Sequence, residues 1–134
     1  MATILEAVGD YLAANSQGTL GTNLFLGRMP ATPDVCVTVY EYEGSPPGET
    51  LGAGTGVKLD KPRLQLNVRA SRDDYPTGRD KAMAIRDLLC AVTNQTLSGL
   101  LVLRIRPIGT VQVLAFDNDD RPRFVTNYEA IIGR

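Results

Sequence analysis

Arg63-Leu64-Gln65-Leu66-Asn67-Val68-Arg69-Ala70-Ser71 is the stretch whose reading decides the fold. Polar and apolar residues alternate through it without a break. That period of two puts Leu64, Leu66, Val68 and Ala70 on one face and Arg63, Gln65, Asn67 and Arg69 on the other. Asp73, Asp74, Tyr75 and Pro76 end the alternation, and Ala82, Ile85, Leu88, Leu89 and Val92 then recur at helical spacing. An apolar strand face and an apolar helix stripe, closely joined, can cover each other. That pair is the expected seed of the core.

Upstream, residues 35–43 are dense in β-branched and aromatic side chains, as a strand requires. Both faces are partly apolar at its start, which suggests a central strand or one covered on both sides. Leu24-Phe25-Leu26 is a shorter strand, and Pro30 and Pro33 make the connection between the two a loop. Residues 3–15 form the first expected helix, with Thr3 as N-cap and Glu6 three residues on. Its stripe is Ile4, Leu5, Val8, Tyr11 and Leu12, and Gly9 weakens it by about 1 kcal/mol relative to Ala. Glycine, serine, threonine and asparagine in residues 15–21 stop it.

Downstream, the second helix is expected to end near Thr93 and Asn94. Leu97-Ser98-Gly99 reads as a turn and residues 100–106 as a strand. Residues 107–109 interrupt that strand, and 111–116 extend again. Asp117-Asn118-Asp119-Asp120 is a hairpin turn. In the final strand Phe124, Thr126, Tyr128, Ala130 and Ile132 share one side. This order gives the expected fold class: α+β, a two-layer sandwich of a mostly antiparallel sheet with two helices packed on one face. Residues 44–60, rich in glycine and proline, form a long loop in one domain spanning residues 1–134. Loops of that length are usually functional or mobile.

Composition narrows the function. The chain has 134 residues, 43% hydrophobic and 22% charged, with a formal net charge of -1. These are globular values, and the charge argues against a nucleic-acid binder held by bulk attraction. Histidine is absent, which removes the usual general base and the commonest metal ligand. No apolar run approaches 18 residues, so no membrane span is expected. Residues 1–6 lack a basic segment followed by an apolar one, so no secretory signal is expected either. Cys36 and Cys90 sit in apolar runs and read as buried free thiols of a protein folded in cytoplasm, with a disulfide as the alternative.

The candidate chemical motifs fail on their own terms. Gly52-Ala53-Gly54-Thr55-Gly56-Val57-Lys58 lacks the Gly-Lys-Ser/Thr ending of a phosphate loop, and no helix follows it. Asp117-Asn118-Asp119-Asp120 begins like a calcium loop, but Pro122 and Tyr128 stand where glycine and glutamate belong. Asp73 and Asp74 with Glu41 and Glu43 have nothing to bring them together as an acid/base pair. Cys90 has no histidine to activate it, and its place beside Leu88 and Leu89 reads as core packing. Asn94-Gln95-Thr96 fits a glycosylation sequon only for a secreted chain. Arg104, Arg106, Arg121 and Arg123 fall on strands expected to pair. They read either as a solvated face with acidic partners or as an interface or DNA-facing surface. No catalytic residue, cofactor or metal is assigned.

Taken in order, several segments carry a resemblance. They are Asn23-Leu24-Phe25-Leu26-Gly27-Arg28-Met29-Pro30, then Val39-Tyr40-Glu41-Tyr42-Glu43-Gly44-Ser45-Pro46-Pro47, then the alternating strand with its helix, then Asp120-Arg121-Pro122-Arg123-Phe124. Across most of its length the chain resembles the minor capsid or tail-completion proteins of long-tailed phages, the tail terminators. The resemblance implies a non-enzymatic virion protein of the tail and neck, assembled in the host cytoplasm. It implies a homo-oligomer, a hexameric ring that caps the tail tube and joins it to the head–tail connector or stopper protein. DNA would pass through the lumen without sequence-specific binding. On that reading the interface candidates are Arg28 and Arg63, as pairs between subunits; Gly48, Glu49, Leu51, Val57 and Lys58, in the long loop; and Arg104, Arg106, Arg121 and Arg123. The alternative is a small non-enzymatic adaptor or another neck component of a phage or prophage.

Overall fold

In a computed structural model, the protein is described over residues 3–49, 58–114 and 116–133, with side chains outside the description at 43–49 and 58. The elements run α1 (Ile4–Ala14), β1 (Leu24–Leu26), β2 (Cys36–Glu49), β3 (Lys58–Arg69), α2 (Tyr75–Cys90), β4 (Thr93–Leu97), β5 (Leu100–Leu114) and β6 (Arg123–Gly133). The six strands form one sheet in the order β1-β2-β3-β6-β5-β4. The alternation that opens the reading fixes its centre. Leu64, Leu66 and Val68 of β3 lie across from Tyr128, Thr126 and Phe124 of β6, and Val37 and Val39 of β2 lie across from Val68 and Leu66. All of these are buried on the inner face.

The expected two-layer α+β sandwich with a mostly antiparallel sheet is overturned. The protein is mostly β, and its sheet is mixed and curled. β1 runs parallel to β2, and register shifts interrupt the ladders of β2 with β3 and of β5 with β6. Bulges of this kind bend a strand and raise its twist. The outcome is visible at α1, which packs on β1 and β2 at one edge of the sheet and on β4 at the other. The core is therefore wrapped rather than pressed between two flat layers.

Helix α1 is built for that position. Thr3 Oγ1 accepts the Glu6 amide at 3.2 Å, starting the helix as its spacing requires. Ile4, Ala7, Val8 and Leu12 are buried. Gly9, costly for helix propensity, permits a close approach: a Cβ there would lie 2.8 Å from Leu26 Cδ2. On the β4 side, Ser98 Oγ donates to Asp10 Oδ2 at 2.7 Å. The Tyr11 hydroxyl donates to the Leu88 carbonyl at 3.4 Å, linking α1 to the last turns of α2.

Helix α2 covers β3, β5 and β6. Its buried residues are Gly78, Ala82, Ile85 and Leu89. Cys90, expected in the core, is exposed, because it lies one residue beyond Leu89 and is turned away from the stripe; Cys36 is buried, and both are free thiols. Three further differences concern strand extent. β4 was not anticipated, because Thr93 to Thr96 are polar and exposed. β5 runs through Pro107 and Gly109 as one strand with a register shift. The expected loop at 44–60 is strand up to Glu49 and again from Lys58, so Pro46 and Pro47 fall where no described strand flanks β2 on its outer side.

Gly78 offers a test of this packing. A Cβ there would meet Phe124 Cε2 at 2.5 Å and Ala70 Cβ at 2.8 Å. Phe124 is itself fixed by an edge-to-face contact with Tyr75 at a centroid distance of 5.0 Å. Gly78→Ala is expected to destabilise the protein by about 1–3 kcal/mol through overpacking, although alanine gains about 1 kcal/mol of helix propensity. Urea unfolding measures the balance, and a stabilised variant would contradict the packing described.

Candidate functional site

With the helices on the inner side of the curl, the opposite face of β3, β6 and β5 presents the polar half of each alternation. Its centre is Glu129, whose side chain is only 6% exposed. Arg106 Nη2 donates to Glu129 Oε1 at 2.8 Å from β5, and Arg63 Nε lies 3.8 Å from Glu129 Oε2 from β3. One carboxylate thus joins two cations across three adjacent strands. Beside it, Asn67 Nδ2 donates to Gln65 Oε1 at 3.0 Å and Gln65 Nε2 to Asn127 Oδ1 at 3.2 Å, an amide chain across β3 and β6.

A second arginine centre sits at the end of the sheet. Arg121 is buried. Its Nε donates to Asp117 Oδ2 at 2.8 Å, and its Nη1 donates to the Ala31 carbonyl at 2.7 Å and to Asp34 Oδ1 at 3.0 Å. Arg69 donates to the carbonyls of Pro33 and Asp34 at 2.7 and 2.9 Å. The two guanidiniums clamp the connection between β1 and β2 onto the sheet. The Asp117-Asn118-Asp119-Asp120 turn is closed from within, since Asp117 Oδ1 accepts the amides of Asp119 and Arg121, both at 3.0 Å. Burial alone would push the Asp117 carboxyl up, but those amides and the Arg121 guanidinium outweigh it and hold it below the usual carboxylate range.

The interface candidates separate on these facts. Arg104 is exposed on the outer face of β5 near Arg106. Arg123 lies at the other end of β6, across from Arg69 and Leu114. Arg106 faces Glu129 and Arg123 is six positions away along β6, about 20 Å at the rise of a strand. Arg104, Arg106, Arg121 and Arg123 therefore do not make one basic patch. Arg63 joins Arg106 at Glu129, while Arg28 is exposed in the turn after β1. Gly48, Glu49 and Lys58 fall at the far ends of β2 and β3. Leu51 and Val57 lie outside the described residues.

Sequence reasoning missed a different feature. Ile108, Val113, Leu114 and Phe116 are exposed large apolar residues on or just after β5. β4 pairs with β5 only as far as Arg104, so beyond it no described strand covers the outer side of β5. The signal was present as Ile108, Val111, Val113, Leu114 and Phe116, more apolar residues than a solvated strand end requires. No group of three metal-ligating side chains occurs among the described residues, and no helix there is long and apolar enough to cross a membrane.

A curled, mostly β subunit with internally matched charges and an apolar open strand has the features of a structural assembly protein. The family model described as bacteriophage tail terminator protein matches residues 11–134. A chain from the virion of a native gene transfer agent particle shares the fold, with a TM-score of 0.60 at 14% identity, over 92% of this chain and 84% of that one. A search of curated proteins gives no match. The protein belongs to the bacteriophage tail terminator family, and is a structural tail protein.

The Asp117 clamp gives a pH dependence. Because its folded carboxyl is depressed, its contribution is present above the unfolded value of about 4 and is lost as pH falls through the lower folded value. Asp117→Asn is expected to flatten the acid limb of stability below about pH 4. Denaturant midpoints measured across that range check this; an unchanged acid limb would count against the clamp.

Proposed function

We propose that copies of this chain close into a ring, six-membered as the family resemblance implies, that ends the tail tube and joins it to the head–tail connector. The observation that carries this reading is the open, apolar outer half of β5 in a chain of the tail terminator family. In a lone subunit such an edge is an aggregation hazard, and a ring uses it up without leaving a free end.

The paired extension of β2 and β3 supports a second contact. Its backbone ladder runs to Glu49 and Lys58, past the part of β2 that β1 covers. We assign Gly48, Glu49, Leu51, Val57 and Lys58 to contacts with the tube or a neighbouring subunit, with Arg28 and Arg104 on the subunit's outer surface as further candidates. DNA passes through the lumen without sequence-specific contact on this reading. The net charge of -1 suits a conduit that must release DNA, since each phosphate neutralised adds affinity. The protein works as a component of the tail and neck of the virion, after assembly in the host cytoplasm.

Electron microscopy of tails assembled with and without the protein tests this. The expected result is overlong tails that fail to join heads in its absence, and a ring of density at the tube's end when it is restored. Tails of normal length, joined to heads without it, would overturn the terminator role in favour of an adaptor.

A further inference from the structure

Two stretches of strand lack a neighbour among the described residues. β1 pairs with β2 only at Val37, Thr38 and Val39, which leaves the outer side of β2 uncovered over residues 40–49. β4 pairs with β5 only between Leu100 and Arg104, which leaves the outer side of β5 uncovered over residues 105–114. The two openings lie at diagonally opposite corners. The open half of β5 pairs with 123–130 of β6, of which 123–129 pair with 63–69 of β3, and those with 36–42 of β2, whose residues 37–39 β1 covers. A strand edge with no described neighbour is a template for another strand.

The strand directions match these corners to each other. β2 and β3, β3 and β6, and β6 and β5 are each antiparallel pairs. Three reversals leave β2 and β5 running in opposite senses. A second copy that continues the sheet in the same orientation therefore brings its β2 beside β5 antiparallel, the arrangement already used through the sheet's centre. Exposed apolar side chains occur at both corners, with Tyr42 on β2 and Ile108, Val113 and Leu114 on β5.

From this we infer that the open half of β5, residues 105–114, takes the open half of β2, residues 40–49, of a second copy as its next strand. The contact is heterologous, with different surfaces on the two subunits, and repeats around a closed assembly. Pairing β5 with its own twofold copy would leave β2 open and stop at two subunits. The inference rests on the ring reading and specifies which edges make it.

Site-specific crosslinking of the full-length chain tests this. In a Cys90→Ser background, with Cys36 buried, Tyr42→Cys and Gln112→Cys place thiols on the same face of the two edges. A flexible bismaleimide, able to span a residue or two of uncertainty in register, is expected to link the double variant into a ladder of oligomers and each single variant not at all. Val113→Lys with Leu114→Lys, both at exposed positions, is expected to shift the light-scattering mass to the monomer with the unfolding temperature unchanged. Dimers from Gln112→Cys alone would overturn the inference in favour of twofold β5 pairing. A ring that forms without the crosslink, or survives the double lysine variant, would overturn the edge pairing and leave the ring standing. A protein that stays monomeric alone and on isolated tail tubes would overturn both.

Discussion

The contact of one helix with both edges of one sheet is the constraint on which the rest of the structure depends. α1 touches β1 and β2 at one side and β4 at the other, which is possible only because the sheet curls. The curl in turn lets a chain of this length bury Phe124, Tyr128, Leu64 and Ile105 with two helices as cover. Gly9 sets how near α1 can approach β1, and the Ser98–Asp10 hydrogen bond holds its far side to the β4–β5 turn. An exposed hydrogen bond adds little energy by itself. The apolar residues Ile4, Ala7, Val8 and Leu12 supply most of the attraction at about 25 cal/mol per Å² buried. The polar contact fixes the register of a helix that hydrophobic burial alone would leave free to slide.

The outer face follows a different logic. Glu129 is almost entirely removed from water, and a carboxylate there is tolerable only with cations beside it. Arg106 meets it at 2.8 Å with a side chain still half exposed, while Arg63 stands off at 3.8 Å. The group is thus a buried acid capped by two solvated bases. Arg121 inverts the pattern, a buried cation reached by Asp34, Asp117 and Asp119, of which Asp34 and Asp119 are largely exposed. Both centres consume arginines that composition alone presents as available for a partner. What remains for contact is backbone edge and apolar side chain, together with charges such as Arg104 and Glu41 near those edges.

Much of the fold was legible where local pattern and tertiary position agree. The strand begun at Arg63, which ends at Arg69 rather than Ser71, and the final strand through Phe124 and Tyr128 follow from periodicity, because each has one face buried and one solvated, and the α1 cap follows from the spacing of Thr3 and Glu6. The rest was hidden for identifiable reasons. β4 carries no apolar alternation, since four of its five residues are exposed and the strand exists by pairing with β5. Pro46, Pro47 and Pro107 are turn signals in a sequence but are tolerated on strands with no described partner on one side. Curl is a property of accumulated twist and bulges, which no short window of sequence displays, so a flat two-layer arrangement was the wrong expectation. At the candidate site, the individual arginines could be named but not their carboxylate, because Glu129 approaches Arg63 and Arg106 only through strand pairing between distant parts of the chain.

A subunit destined for an ordered assembly must fold before it associates, yet still offer a surface worth covering. The two demands fall on different parts of this sheet. Its middle, where β2, β3, β6 and β5 pair fully, carries the inner-face core that both helices cover. Its two open corners contribute Tyr42, Val113 and Leu114 to solvent. Removing a corner contact therefore leaves the core intact, and making one requires no refolding. On the proposed pairing each such edge would gain a ladder of backbone hydrogen bonds and a few apolar side chains, a modest energy for a single contact. In an open chain of subunits each internal contact is made once and the ends remain exposed. Closing the chain adds a further contact without the translational cost of recruiting another subunit. On the proposed pairing, weak but complementary edges at opposite corners would favour a closed assembly over a lone pair, with the folded monomer available until a template gathers it.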